Sequence, residues 1–216
     1  MRLSRSFAAE FIGTAFLLAA IVGSGIQAEH LASGNTAIAL LANTIATGAA
    51  LVALIATFAS MSGAHFNPLV SFVEAMLGRL RWKLALLHIL GQISGGVFGV
   101  MLAHVMFDLP VLSLSQHARN GSGQWLGEVV ATFGLITVIL NVAKHRSSSI
   151  AVAVAAYITA AYWFTSSTSF ANPAVTIARS LSDTFTGIRP SDAPAFVLCQ
   201  FTGATLAVLV FRWFKD

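Results

Sequence analysis

The sequence predicts an all-α membrane protein in which six transmembrane helices and two re-entrant half-helices form an inverted repeat. Three observations predict this. Of the 216 residues, 56% are hydrophobic and only 9% are charged, where a soluble globular domain carries roughly 25% charged residues. Six apolar segments reach lengths suited to a hydrocarbon core, which a helix of about 20 residues crosses. Two linkers between these segments are only half as apolar, and each carries an Asn-Pro pair, Asn67-Pro68 and Asn172-Pro173.

The first span covers residues 7–27, too long for the apolar core of a cleaved signal peptide, so it reads as a retained helix. The second covers 37–60, and the first linker follows at 61–80. Spans three and four cover 84–107 and 125–143; the fifth, 150–165, is the shortest. A second linker at 166–190 leads to the sixth span, 193–213. Asparagine is a preferred helix N-cap, and proline suits the first helical turn because its missing N–H costs nothing there. Each Asn-Pro therefore starts a helix, and about ten residues remain before the polar stretches at Arg79 and at residues 180–183, which at ~1.5 Å per residue crosses half a bilayer.

The two halves repeat one another. Ala9-Glu10-Phe11-Ile12-Gly13-Thr14 matches Gly127-Glu128-Val129-Val130-Ala131-Thr132, and Phe66-Asn67-Pro68-Leu69-Val70-Ser71 matches Ala171-Asn172-Pro173-Ala174-Val175-Thr176. Three spans separate the copies, an odd number, so the second half runs through the membrane upside down relative to the first. The chain is thus one domain, residues 1–216, with repeats at about 1–107 and 122–216. With both termini cytoplasmic, Arg2, Arg5, Arg79, Arg81, Lys83, Lys144, Arg146, Arg212 and Lys215 face inside, and Arg119, Arg179 and Arg189 do not. That distribution obeys the positive-inside rule.

Inverted symmetry brings the two half-helix starts together at the midplane, where non-helical backbone is tolerated only if protein buries it or it lines a watery cavity. Two helix N-termini place partial positive charge there, and the amides of Asn67 and Asn172 can donate hydrogen bonds to a passing oxygen. A cation meets a barrier in such a place, and a neutral hydroxylated solute does not. Glu10 and Glu128 are carboxylates inside spans, a costly position that demands partners, and their matched placement suits acceptors for linker N–H groups. His65, two residues before Asn67, is expected to line the inner half of the pore. His88 and His104 stand alone on apolar spans and are expected to bond neighbouring helices. Gly91, Gly95 and Gly99 on span three let another helix approach closely, within the subunit or between subunits.

These motifs resemble those of the aquaporin and glyceroporin (major intrinsic protein) family: Ser62-Gly63-Ala64-His65-Phe66-Asn67-Pro68-Leu69-Val70, the second element Asn172-Pro173-Ala174, and the paired openings of spans one and four. The resemblance covers nearly the whole chain. It implies a right-handed bundle, a homotetramer with one pore per subunit, two Asn-Pro-Ala elements at the pore centre and a four-residue constriction toward the outside. Leu69 replaces alanine in the first element. At the constriction, Val175 stands where a typical member has arginine, and ungapped comparison places the other three positions at Thr47, Ala160 and Ser169; one turn from Ala160 lie Tyr157 and Phe164. A ring of Thr, Ala, Ser and Val is wider and less polar than the filters of water or glycerol channels. Bacterial members associated with arsenic resistance share the valine and a stretch similar to Asp183-Thr184-Phe185-Thr186-Gly187-Ile188-Arg189-Pro190. The resemblance therefore implies passive permeation of arsenic(III) and antimony(III) trihydroxides, glycerol-like polyols and some water, in a bacterial inner membrane. Arg179, one turn beyond Val175, is expected either to charge the vestibule or to bond linker carbonyls.

Other functions compete less well. A water and glycerol facilitator without a metalloid role is the nearest alternative, and an ion-conducting gated channel follows from the missing filter arginine. An enzyme would need a nucleophile beside a base, or a metal cluster, and the sequence offers neither. Coupled transport would need ion-binding carboxylates at the midplane beyond the Glu pair. Cys199, the single cysteine, forms no internal disulfide. No cofactor, metal or nucleic acid is expected.

Overall fold

The computed structural model describes residues 3–145 and 147–214; Arg2, Arg146 and Lys215 of the orientation argument lie outside them. Eight α-helices run in the order α1 (Leu3–Leu31), α2 (Thr36–Ser62), α3 (Pro68–Met76), α4 (Trp82–Met106), α5 (Ser122–His145), α6 (Ile150–Phe164), α7 (Pro173–Arg179) and α8 (Ala193–Trp213), with a 3-10 turn at Ser147–Ser149 before α6. Among the described residues, α1, α2, α4, α5 and α8 are long and apolar enough to cross a membrane. The expected fifth span is α6, an apolar helix of only 15 residues, or ~22 Å against a core of ~30 Å.

The half-helices begin as the sequence predicts. Pro68 and Pro173 occupy the first turns, and the side chains of Asn67 and Asn172 accept from the N–H groups of Leu69 and of Ala174 and Val175. α3 has nine residues and α7 seven, so neither crosses more than about half the bilayer.

Packing repeats across the two halves. α1 lies on α2 and α4 as α5 lies on α6 and α8. The halves join where α2 meets α6, where α3 meets α7, and where α4 holds α7 while α8 holds α3. Close approach of α4 to α1 comes from the glycine stripe: a Cβ on Gly95 would overlap the carbonyl oxygen of Phe11, and one on Gly99 that of Ala15. The stripe thus works within one subunit. Its counterpart on α8 is Gly203, whose missing Cβ makes room for the carbonyl of Val129 on α5. Large apolar side chains, among them Phe16, Leu86, Leu126, Val152, Leu198 and Leu209, remain exposed around the bundle. On six long or apolar helices these form a lipid-facing surface.

Candidate functional site: a central pore

Both linkers leave their preceding helix in strained backbone. Ala64 and Phe66 in the first, and Thr168, Ser169 and Ala171 in the second, have φ between 47° and 59°, a left-handed conformation that costs non-glycine residues about 1–3 kcal/mol each and persists only where neighbours enforce it. The buried carboxylates do the enforcing. Glu10 accepts from the backbone N–H of His65 at 3.0 Å and of Phe66 at 2.8 Å, and from the Ser62 hydroxyl at 2.5 Å. Glu128 accepts from the N–H of Phe170 and of Ala171, each at 2.9 Å. Each carboxylate is itself held by an amide from the fourth helix of its repeat: Gln92 Nε2 donates to Glu10 at 2.7 Å and to Ser71 Oγ at 3.0 Å, and Gln200 Nε2 donates to Glu128 at 2.6 Å and to Thr176 Oγ1 at 2.9 Å. Sequence reasoning missed these glutamines. Their signal was present, since each is a lone amide on an apolar span at a matched place in the repeat.

The two asparagines meet as the repeat requires, with one difference from the sequence expectation. Asn67 Nδ2 donates to the carbonyl of Ala171 and Asn172 Nδ2 to the carbonyl of Phe66, both at 2.8 Å. One N–H of each amide is thereby committed to the opposite repeat, which fixes its plane. A primary amide has two N–H groups, so one per asparagine remains for a solute.

A cavity of about 510 Å³ runs past both asparagines. At one end it is bounded by Glu74, Arg79 and Lys144, the first two forming an ion pair at 3.2 Å. Its long wall is aliphatic, built from Leu17, Ile21, Leu51, Ile55, Leu135, Ile139, Val154 and Ile158. Thr47, Tyr162, Ser169, Val175 and Arg179 bound the other end. His65 lies in the wall, its Nδ1 2.9 Å from Ser71 Oγ and its ring edge-on to His88 at 5.2 Å between centroids. His88 and His104 bond neighbouring elements through Ser6 at 2.6 Å and Ser182 at 2.8 Å.

Of the four expected constriction residues, Thr47, Ser169 and Val175 lie in the wall together. Ala160 does not: it is exposed and outside the cavity lining. Ile158 and Tyr162 line the wall from the same helix, and two residues from either of them is about 200° round the axis, the opposite face. The one-turn neighbours fare no better, because Phe164 is exposed and the Tyr157 hydroxyl reaches away to the carbonyl of Ala131 at 3.0 Å. Tyr162 lines the wall from this helix instead, its hydroxyl 3.4 Å from Thr47 Oγ1. The Ser169 hydroxyl oxygen is buried without a hydrogen-bond partner.

Arg179, 2% exposed, ends α7. Its Nε donates to the carbonyl of Thr186, its Cζ lies 3.5 Å from the Phe170 ring centroid, and its Nη1 has no hydrogen-bond partner. Arg119, from the segment between α4 and α5, lies on the same ring at 5.0 Å and donates from Nε to the carbonyl of Gly187 at 2.7 Å. Burial lowers its guanidinium to about 10, which leaves it protonated at neutral pH. Nothing in the sequence pointed to this pairing.

The architecture and its neighbours decide the family. A model of the major intrinsic protein family matches residues 1–149. Aquaglyceroporin AqpS of Rhizobium meliloti (strain 1021) is 51% identical over 211 residues, 98% of this chain and 90% of that one. The chain belongs to the major intrinsic protein family. Aquaporin NIP1-4 of Oryza sativa subsp. japonica is a more distant relative, 30% identical over 207 residues, covering 91% of this chain and 71% of its own. The X-ray structure of the aquaglyceroporin from Plasmodium falciparum shares the fold, with a TM-score of 0.70 at 20% identity, over 100% of this chain and 96% of that one. As a member of this family the chain is a multi-pass membrane channel and not an enzyme. The family model stops before the second Asn-Pro, so the near full-length relative carries the assignment of the second half.

Proposed function

We propose that this channel is a passive pore for small neutral hydroxylated solutes, namely water, glycerol-like polyols and the trihydroxides of arsenic(III) and antimony(III). The observation that carries the reading is the cavity itself: an aliphatic wall interrupted by the Asn67 and Asn172 amides at its middle and by Thr47, Tyr162, Ser169 and Val175 at its end. Such a wall offers a polyol hydrogen bonds on one side and apolar contact on the other, and gives a dehydrated ion little in return. The similar chain called an aquaglyceroporin supports glycerol as a solute. The metalloid preference rests on Val175, which leaves the position after the second Asn-Pro-Ala uncharged. We read the four end residues as the selectivity filter, Asn67, Pro68, Leu69, Asn172, Pro173 and Ala174 as the central elements, His65 as pore lining, and Glu10 and Glu128 as scaffold. The working unit in this reading is a homotetramer in a bacterial inner membrane, with cytoplasmic termini and the Lys144 end of the pore facing inside.

Stopped-flow light scattering on proteoliposomes tests it. Native protein should pass glycerol and take up arsenic(III); Val175→Arg should lower both by about tenfold or more while water flux persists, because a long cationic side chain narrows the end of the cavity. Equal fluxes in both proteins would place the constriction elsewhere. Native liposomes that pass water alone would refute the wide-filter reading.

A further inference from the structure

Two buried arginines stand at the Val175 end of the pore, and neither is bonded through its guanidinium to a carboxylate. Arg119 and Arg179 are 7% and 2% exposed, and both guanidinia lie against the ring of Phe170. Among the described residues the ion pairs are Arg79 with Glu74 and Arg189 with Asp192, and neither Arg119 nor Arg179 joins one. Their donors go to neutral acceptors instead: the carbonyls of Thr186, Gly187 and Ser167 and the hydroxyl of Thr168. Three carboxylates lie nearby, each otherwise engaged, Asp183 by the backbone N–H of Gln116 at 2.8 Å. Asp192 holds Arg189 and the backbone N–H of Arg119, and Glu128 holds the N–H groups of Phe170 and Ala171 and the Gln200 amide. Glu10, the equivalent of Glu128, holds the other linker in the same way, but the residue of the first half-helix that matches Arg179 in the repeat is Glu74, so the two ends of an otherwise symmetric pore differ in charge.

We infer that Arg179 and Arg119, both held against the Phe170 ring, form a cation barrier of this channel in addition to that at the half-helix starts, acting on the lumen from behind a filter that carries no charge of its own. Arg179 borders the cavity, so its field reaches a permeating species directly, and Arg119 adds to it from the next layer. The aromatic ring stabilises both cations by its quadrupole and keeps them where solvent cannot screen them. A monovalent cation about 8 Å from one such charge, in surroundings of effective dielectric ~20, is slowed roughly thirtyfold. A neutral solute feels no such penalty. Arg179 thereby selects by charge and Val175, one turn inward, by size. This inference rests on the neutral-pore reading above and adds to it where the charge selection lies.

The test measures potassium, glycerol and water permeability of the same proteoliposomes. Arg179→Gln and Arg119→Gln should each raise the potassium-to-glycerol ratio by about tenfold or more, and the effect of the first should exceed that of the second. Adding Val175→Arg to Arg179→Gln, which narrows the pore against glycerol but leaves water flux, should lower the potassium-to-water ratio again, since it returns a positive charge to the same helix one turn inward. Arg179→Lys, which keeps the charge and loses the planar fork, should keep potassium out; a purely structural role would make lysine fail with glutamine. Should Arg179→Gln not assemble, Arg119→Gln and the lysine variant decide alone. A ratio equal to native in the glutamine variants that do pass glycerol overturns the inference, and leaves the neutral-pore reading standing. Absence of glycerol flux in the native protein would instead strike that reading.

Discussion

The face of α6 that meets the pore turns on two residues. Ala160 and Tyr162 are two apart, and only Tyr162 lies in the cavity wall. Replacing Tyr162 by alanine removes a phenol from the cavity wall, and if the filter lies there glycerol flux per channel should rise by about two- to tenfold, read by stopped-flow light scattering. Ala160→Ser lies outside the lining and should change flux by less than about a quarter. The reverse pattern would return Ala160 to the filter. The same contrast shows why a sequence comparison without gaps misplaced the residue. The irregular stretch between Phe164 and Asn172 takes up length that such a comparison counts as if it were rigid, and an error of two residues turns a helix past half a revolution.

At the scale of elements, the four-residue glycine spacing on α4 decides how deeply the bundle packs. A side chain at Gly95 would meet the backbone of Phe11, which cannot move aside as a side chain could. Gly95→Leu should therefore cost more than the ~1–3 kcal/mol of ordinary overpacking, seen as a lowered unfolding temperature in detergent or as loss of folded protein. Gly123→Ala is the control: a Cβ there meets only the Ser166 hydroxyl oxygen at 3.9 Å, and its unfolding temperature should stay close to native. The half-helices depend on a different economy. Each is too short to stand alone, and each is held by an asparagine cap at its start and by a buried carboxylate that binds the linker before it.

For the whole molecule, the junction of the two repeats is the pair of bonds from Asn67 to the carbonyl of Ala171 and from Asn172 to that of Phe66. These bonds cross between halves and share one centre, so they should couple. Asn67→Ala and Asn172→Ala should each cost about 1–3 kcal/mol, from a lost cap and an unpaired buried carbonyl. The double variant should depart from their sum by about 0.5–3 kcal/mol, the range for residues in one network. Thermal unfolding of all four proteins in one detergent gives the cycle. Strict additivity would mean that the halves hold together through helix packing alone, where α2 meets α6 and the half-helices meet the opposite fourth helices.

The spans, the two half-helices and the inverted repeat were legible in the residues because each follows from a local demand: apolar length sufficient for a hydrocarbon core, a proline that can only begin a helix, and an odd number of crossings between copies. The buried glutamates were legible for a similar reason, since a carboxylate inside a span must find donors. Only the tertiary structure decided which side of α6 faces the pore, that the glycine stripe of α4 serves α1 of its own subunit, and that Arg119 joins Arg179 on Phe170 across 60 residues of sequence. Those depend on where irregular segments deliver side chains in space, and no period or spacing along the chain records that.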